Sequence, residues 1–322
     1  MKPIPVEEYP QGGMVALTTK YAHCVDALEA AIGSMEISQR QAKSYSDLLL
    51  SAYTRQNNPF IDELVGLHNL GRLLYPMNGS LEYGCTAGAN LQRRKPVLWR
   101  ALDWPWDGMG DHLLVVKMPS PYGVWVNVTW PNFVGTATAL APGRFALAVN
   151  QAPSLLHFAQ QLQRMRVLKS PHLSPLHFAR KVMSEAPDFA TAKQMLQTHK
   201  LNTTAIFTLV GCATDEICVI EHMGVRSATV PPHGGVVAAA NHWQGFTPIR
   251  VKPRAESKER LGCMRDHLHL PHLHGFDWLV PPVLNSETRV AVEACPATGS
   301  LKVRGVEGEL MVARFDGKFE AA

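Results

Sequence analysis

Tyr83-Gly84-Cys85-Thr86-Ala87 sets a cysteine directly after a small, unhindered residue, and Leu98-Trp99-Arg100-Ala101-Leu102-Asp103-Trp104 follows it with an arginine and an aspartate three apart. A thiol attacks an amide well only as its thiolate, and a free cysteine of pKa about 8.5 is only a few per cent ionised at neutral pH. It therefore needs a base or a cation nearby. An α-amino group, with an ordinary pKa of about 7.7 to 8.0, lies close to the right value, and Cys85 gains one only if the bond after Gly84 is cut. In such a site Arg100 holds the thiolate or the substrate carbonyl region, and Asp103 orients the amine. Taken singly, Gly-Cys-Thr and Arg-x-x-Asp are equally well explained by a buried thiol and a surface ion pair; their combination is what points to chemistry.

Positioning these residues requires Cys85 to open a strand and the strand predicted over Val97 to Asp103 to return beside it as a hairpin. The pattern around them supports this. Upstream, Val15 to Met35, Gln39 to Arg55 and Pro59 to Leu74 carry apolar residues at helical spacing. Asn58-Pro59 opens the third of these, and Asp62-Glu63 place negative charge at its start. From Cys85 onward short β-rich runs follow at His112 to Met118, Val124 to Trp130, Gly135 to Leu140 and Phe145 to Asn150, separated by turn-forming Pro and Gly residues. Helical patterns at Ser154 to Val167, Pro175 to Ser184 and Phe189 to His199 come next. Strands return at Ala205 to Gly211, Ile217 to His222 and Val236 to Ala240. A helix is predicted from Ser257 to His267, and closing strands at Arg289 to Ala294, Leu301 to Arg304 and Leu310 to Phe315. Strands, then helices, then strands imply an α+β architecture of two sheets with helices outside them.

In this order the segments resemble the cysteine N-terminal-nucleophile hydrolases, the group that includes acid ceramidase, N-acylethanolamine acid amidase, choloylglycine hydrolase and the penicillin acyltransferases. The resemblance rests on the opening Cys85-Thr86 and on Arg100-Ala101-Leu102-Asp103-Trp104. It continues through Phe133 to Thr136, Pro142 to Asn150, Ala205 to Gly211, Cys218 to Glu221 and Asn241-His242-Trp243, running from about Ser80 to Arg260. It implies a four-layer α/β/β/α sandwich with two antiparallel sheets. It further implies a helical prosegment or α-subunit over residues 1–84, a catalytic β-subunit over 85–322, and self-cleavage at Gly84/Cys85. The implied reaction is hydrolysis of a linear carbon–nitrogen amide, with a fatty acyl group as the expected acyl part and no metal or organic cofactor. The same resemblance makes Asn150 and Asn241 candidate donors to a tetrahedral oxyanion and Arg254 a second functional arginine. Arg250, Lys252 and Arg260 stand close enough to Arg254 to compete for that role. On the residues alone, the asparagines also suit turn positions that satisfy their own backbone, and Arg254 suits a solvated basic loop. An acyltransferase would use the same acyl-enzyme, and a non-catalytic ligand-binding protein would keep the fold without being cut.

His267, His269, His272 and His274 alternate with Leu and Pro, which suits an extended surface segment, and no Glu or Cys completes a zinc-motif spacing. A papain-like pair of Cys85 with His242 requires a cysteine at a helix start, whereas Cys85 leads into strands. Trp99, Trp104, Trp106, Trp125 and Trp130 could line an acyl pocket, although core packing is the safer account of them.

The six cysteines, at 24, 85, 212, 218, 263 and 295, form no Cys-x-x-Cys pair and no dense framework, so free thiols are expected. The net charge of +4 is spread along the chain, and Gln92-Arg93-Arg94-Lys95 lacks interleaved aromatics, which argues against nucleic acid as a partner. No apolar run reaches the roughly 20 residues of a membrane span, and Met1 to Gly13 lacks the pattern of a secretory signal. A soluble, cytoplasmic protein acting on a small acyl amide is the expectation, with its own two fragments as a heterodimer and a homo-oligomer left open.

Overall fold

The computed structural model describes residues 1–33, 39–74, 77–78, 84–153, 167–247, 256–270 and 273–321. The N-terminal segment contributes β1 (Lys2–Pro3), β2 (Val6–Glu8) and helices α1 (Gly13–Lys20), α2 (Ala22–Gly33), α3 (Gln39–Arg55) and α4 (Ile61–Asn69). The helix expected over Val15 to Met35 is thus broken at Tyr21, whose hydroxyl donates to Glu7 Oε1 at 2.6 Å. A tertiary bond there outweighs local helical preference.

Downstream come β3 (Gly84–Gln92), β4 (Lys95–Asp103), β5 (Leu114–Met118), β6 (Trp125–Thr129), β7 (Thr138–Ala141) and β8 (Phe145–Gln151). Helices α5 (Pro175–Glu185) and α6 (Phe189–Thr198) follow, then β9 (Ala205–Val210), β10 (Ile217–His222), β11 (Ser227–Val230) and β12 (Val237–Ala239). Helix α7 (Ser257–Leu268) precedes β13 (Thr288–Cys295), β14 (Ser300–Glu307) and β15 (Leu310–Lys318). The start of α5 is written in the chain: Ser174 caps it by accepting from the His177 amide, and Pro175 occupies the first turn, where a missing N–H costs nothing. Asp188 caps α6 through the Thr191 amide in the same way. The helix expected over Ser154 to Val167 lies almost wholly outside the described residues.

One sheet has seven strands in the order β1-β15-β14-β13-β4-β3-β12, and the other has eight in the order β11-β10-β9-β8-β7-β6-β5-β2. A single large cluster of apolar side chains fills the space between them. Helix α7 covers the outer face of the seven-stranded sheet through Leu261, Met264 and Leu268, and α5 and α6 pack on the eight-stranded one. This is the expected α/β/β/α layering, with one correction. The sheets are antiparallel except at one edge each, where β1 pairs parallel with β15 and β2 parallel with β5. Residues 1–84 are therefore not helical throughout, because their first eight residues extend both sheets. Among the described residues no helix is long and apolar enough to cross a membrane.

Candidate active site

Register places the reactive groups. Strands β3 and β4 form a hairpin in which Gly84 faces Asp103, Cys85 faces Leu102 and Ala87 faces Arg100. Side chains alternate along a strand, so Cys85, Ala87 and Ala89 enter the core between the sheets, while Thr86 and Gly88 point toward α7. On β4, Arg100 shares the inter-sheet face with Leu98 and Leu102, and Asp103 lies on the opposite face with Trp99 and Ala101. Arg100 and Asp103 thus approach Cys85 from two sides of one sheet.

Arg100 bridges the two sheets. Its Nη2 donates to Cys85 Sγ at 2.9 Å and to the Val149 carbonyl at 2.9 Å, and its Nη1 donates to Asn150 Oδ1 at 2.8 Å. Asn150, the sixth residue of β8, turns its amide nitrogen to the carbonyls of Ala239 and Ala240 at 3.2 and 3.1 Å. Both of its N–H groups are committed to backbone, so Asn150 aims Arg100 and is not an oxyanion donor in this state.

Asn241 stands just past β12. Its Oδ1 accepts the Cys85 backbone N–H at 2.9 Å and a second bond from Arg260 Nη2 at 2.8 Å, while its Nδ2 donates to the Gln151 carbonyl at 2.8 Å. Its own backbone N–H is held by Ser257 Oγ at 2.8 Å. Arg260, on the first turn of α7, also donates from Nη1 to the Cys85 carbonyl at 2.7 Å and to Thr86 Oγ1 at 3.0 Å, and it pairs with Asp103 Oδ2 at 3.4 Å. Thr288 Oγ1 donates to Asp103 Oδ1 at 3.0 Å. The helix can come this close because β3 offers Gly88, where a Cβ would lie 2.5 Å from Leu268 Cδ1.

The cluster is sealed: Cys85 and Arg100 have no exposure at all. Burial pushes the Cys85 thiol above its ordinary pKa, opposed by the Arg100 charge and by the Gln151 backbone amide. Burial likewise raises Asp103, against the pull of Arg260 and hydrogen bonds from Asn285 and Thr288. Burial thus favours the protonated sulfur, against the fixed cation beside it.

Of the residues expected from sequence, Cys85, Arg100, Asp103, Asn150 and Asn241 converge here, and Arg254 lies outside the described residues. The second arginine that reaches the site is Arg260. Its signal was a charge on the apolar face of α7, in line with the buried Ser257, Leu261, Met264 and Leu268. His242 is not paired with the thiol; its Nδ1 bonds Ser257 Oγ at 2.8 Å. Trp104, Trp125 and Trp130 are fully buried core residues. Among the described residues no three His, Cys, Asp or Glu side chains converge on a point suited to a metal ion; His272 is not among those residues.

No protein-family model matches this chain, and no curated protein matches it in sequence. Solved structures do resemble it. The Caenorhabditis elegans ortholog of N-acylethanolamine-hydrolyzing acid amidase superposes with a TM-score of 0.56 at 16% identity, over 66% of this chain and 93% of that one. A conjugated bile acid hydrolase from Clostridium perfringens gives a TM-score of 0.46 at 10% identity, over 72% of this chain and 92% of the other. Penicillin V acylase from Agrobacterium tumefaciens gives 0.42 at 13%, over 73% and 86%. The first of these likenesses shows that the chain shares the fold of that amidase.

Proposed function

We propose that this chain is a cysteine amidase acting on N-acyl amides, and that it matures by cutting its own Gly84–Cys85 bond. The observation that carries this reading is the arrangement around that bond. Cys85 has its sulfur on Arg100, its backbone N–H on Asn241 and its carbonyl on Arg260, so nearly every polar atom of one buried residue is held by a side chain. A structural cysteine needs none of this. In the self-cleavage step, sulfur adds to the Gly84 carbonyl carbon and the thiol proton passes to the Cys85 nitrogen as the C–N bond breaks. Water then hydrolyses the resulting thioester, leaving a Gly84 carboxylate, a free thiol and a Cys85 α-amine.

That amine sits where the Cys85 N–H now meets Asn241 Oδ1, on the side of the strand that carries Asp103 and Arg260. With an ordinary pKa of about 7.7 to 8.0 it is suited to take the thiol proton and deliver it to the leaving amine of a substrate. Arg100 stabilises the thiolate, Asn150 aims Arg100, and Asn241 supplies amide N–H to the oxyanion, for which one aimed donor is worth roughly a hundredfold to a thousandfold in rate. The acyl-enzyme is a thioester on Cys85, hydrolysed by water activated by the same amine. The fold relative named for hydrolysing N-acylethanolamines supports an N-acyl amide as the substrate class. Residues 1–84 then become a bound subunit beside a catalytic subunit of residues 85–322.

Intact mass under denaturing conditions tests the reading. Two fragments meeting at Gly84 and Cys85, absent in Cys85→Ala, are the expected result. A chain that stays whole in both proteins and traps no acyl group on Cys85 would overturn it in favour of a binding protein.

A further inference from the structure

A cavity lies beside the nucleophile, and its wall includes Gln151, the residue whose backbone amide hydrogen-bonds the Cys85 sulfur. Leu49, Leu168 and Leu176 make much of its surface apolar, but polar residues line it as well, among them Gln56, from the turn that ends α3, and Asn202, from the loop between α6 and β9. Gln56 is 5% exposed. Among the described residues its Nε2 and Oε1 have no hydrogen-bond partner, and neither do Nδ2 and Oδ1 of Asn202. A buried carboxamide left unpaired is costly, and native proteins keep such groups chiefly where something else satisfies them. Two in one apolar cavity, next to a nucleophile, mark a place where a ligand supplies the missing partners.

We infer that this cavity takes the acyl part of the substrate, and that this acyl part carries a neutral group able both to donate and to accept hydrogen bonds, such as a hydroxyl or a second carboxamide, in place of a plain alkyl chain. The inference rests on the proposed amidase reading for its link to Cys85. Two features set the class. Most of the surface the cavity presents is apolar, so the body of the ligand is apolar. Its polar residues are all uncharged, and the two unpaired carboxamides each offer donors and an acceptor, so a carboxylate or an ammonium group would enter without a counter-charge and pay for its desolvation. Since α3 supplies Leu49 and the turn that ends it supplies Gln56, the cavity is complete only while residues upstream of Cys85 remain in place.

The test uses full-length Cys85→Ala protein, which binds without reacting, and two probes of equal length, octanamide and 8-hydroxyoctanamide, measured by calorimetry. The hydroxylated probe should bind at least about tenfold more tightly, because a site built around unpaired polar groups rejects the analogue that leaves them unpaired. Adding Gln56→Met should erase that preference while raising the melting temperature, since an unpaired buried amide has been removed. A purely structural Gln56 would instead lower it. Equal binding of the two probes, preference for octanamide, or occupation of the cavity by ordered water alone with no binding of either would overturn the proposal. Hydrolysis is scored separately on the wild-type protein with the corresponding N-acyl amides. A binding preference without turnover would sink the amidase reading and leave the cavity assignment standing, whereas turnover of plain acyl amides in preference to hydroxylated ones would do the reverse.

Discussion

Arg260 does several jobs with one planar fork. It reaches the Cys85 carbonyl, Thr86 Oγ1, Asp103 and Asn241 Oδ1, and so fixes the peptide on the C-terminal side of the Gly84–Cys85 bond proposed for cleavage and the amide oxygen that receives the Cys85 N–H. A lysine at this position keeps the charge but lacks the fork. Losing one or two charge-assisted bonds of roughly 1.5 to 3 kcal/mol each predicts that Arg260→Lys cleaves itself about ten- to a hundredfold or more slowly. A time course of intact mass measures this, and an unchanged rate would remove Arg260 from the machinery. Gly84 makes a second point at the same scale. A Cβ there would lie 2.8 Å from Asp103 Oδ2, against a carboxylate already held by Arg260 and Thr288. Gly84→Ala should therefore slow cleavage by pushing Asp103 off its partners, with Cys85 itself intact. Cleavage at the wild-type rate would show that the Asp103 position is not needed for the first step.

At the scale of elements, the N-terminal segment is built into the rest. β1 extends one sheet and β2 the other, and Tyr9, on the loop after β2, joins Glu63 of α4 and Arg180 of α5 in a buried cluster. Arg180 also stacks on Phe60, 4.1 Å from the ring centroid, and donates to the Val134 carbonyl at 2.9 Å. After a cut at Gly84 these contacts remain, so both fragments should coelute in native size-exclusion chromatography and separate only in denaturant. Arg180→Met should lower the denaturant concentration at which they part; fragments that separate without denaturant would refute the shared-sheet account. The two-residue β1 and three-residue β2 could not be read from the chain, because strands this short carry no alternation and exist only through their partners. The hairpin of β3 and β4 was legible through Cys85, Arg100 and Asp103, whose chemistry demanded it. So were α3 and α7, whose apolar spacing is regular. Arg260 was obscured by three nearby basic residues. Gln56 and Asn202 left no signal, since a carboxamide at a helix end or in a loop is ordinary until the cavity around it is known.

At the scale of the whole molecule, the join between the N-terminal helices and the layers of the sandwich passes through His177. This residue of α5 is fully buried; Asn58 Nδ2 lies 2.8 Å from its Nδ1, and Tyr53 meets it edge-on, so both neighbours come from upstream of Cys85. With Asn58 donating to Nδ1, the ring is neutral and carries its proton on Nε2. Burial first, and then the Arg180 charge, push its pKa down to about 3. The folded value is thus below the unfolded one of about 6.5, so the unfolded chain binds the extra proton and stability falls as pH drops from about 6.5 toward 3. The buried carboxyls of Asp103, Glu221 and Glu293 are raised by burial and act with the opposite sign, favouring the fold as they protonate above their ordinary range. A wild-type profile mixes the two, but a difference between proteins isolates the histidine. Comparing urea unfolding of wild type and His177→Gln at pH 7 and pH 4, the wild type should lose roughly 3 kcal/mol relative to the variant on acidification. If the gap between them does not change with pH, His177 is solvated or already charged in the fold, and acid would not be expected to loosen the N-terminal helices from α5.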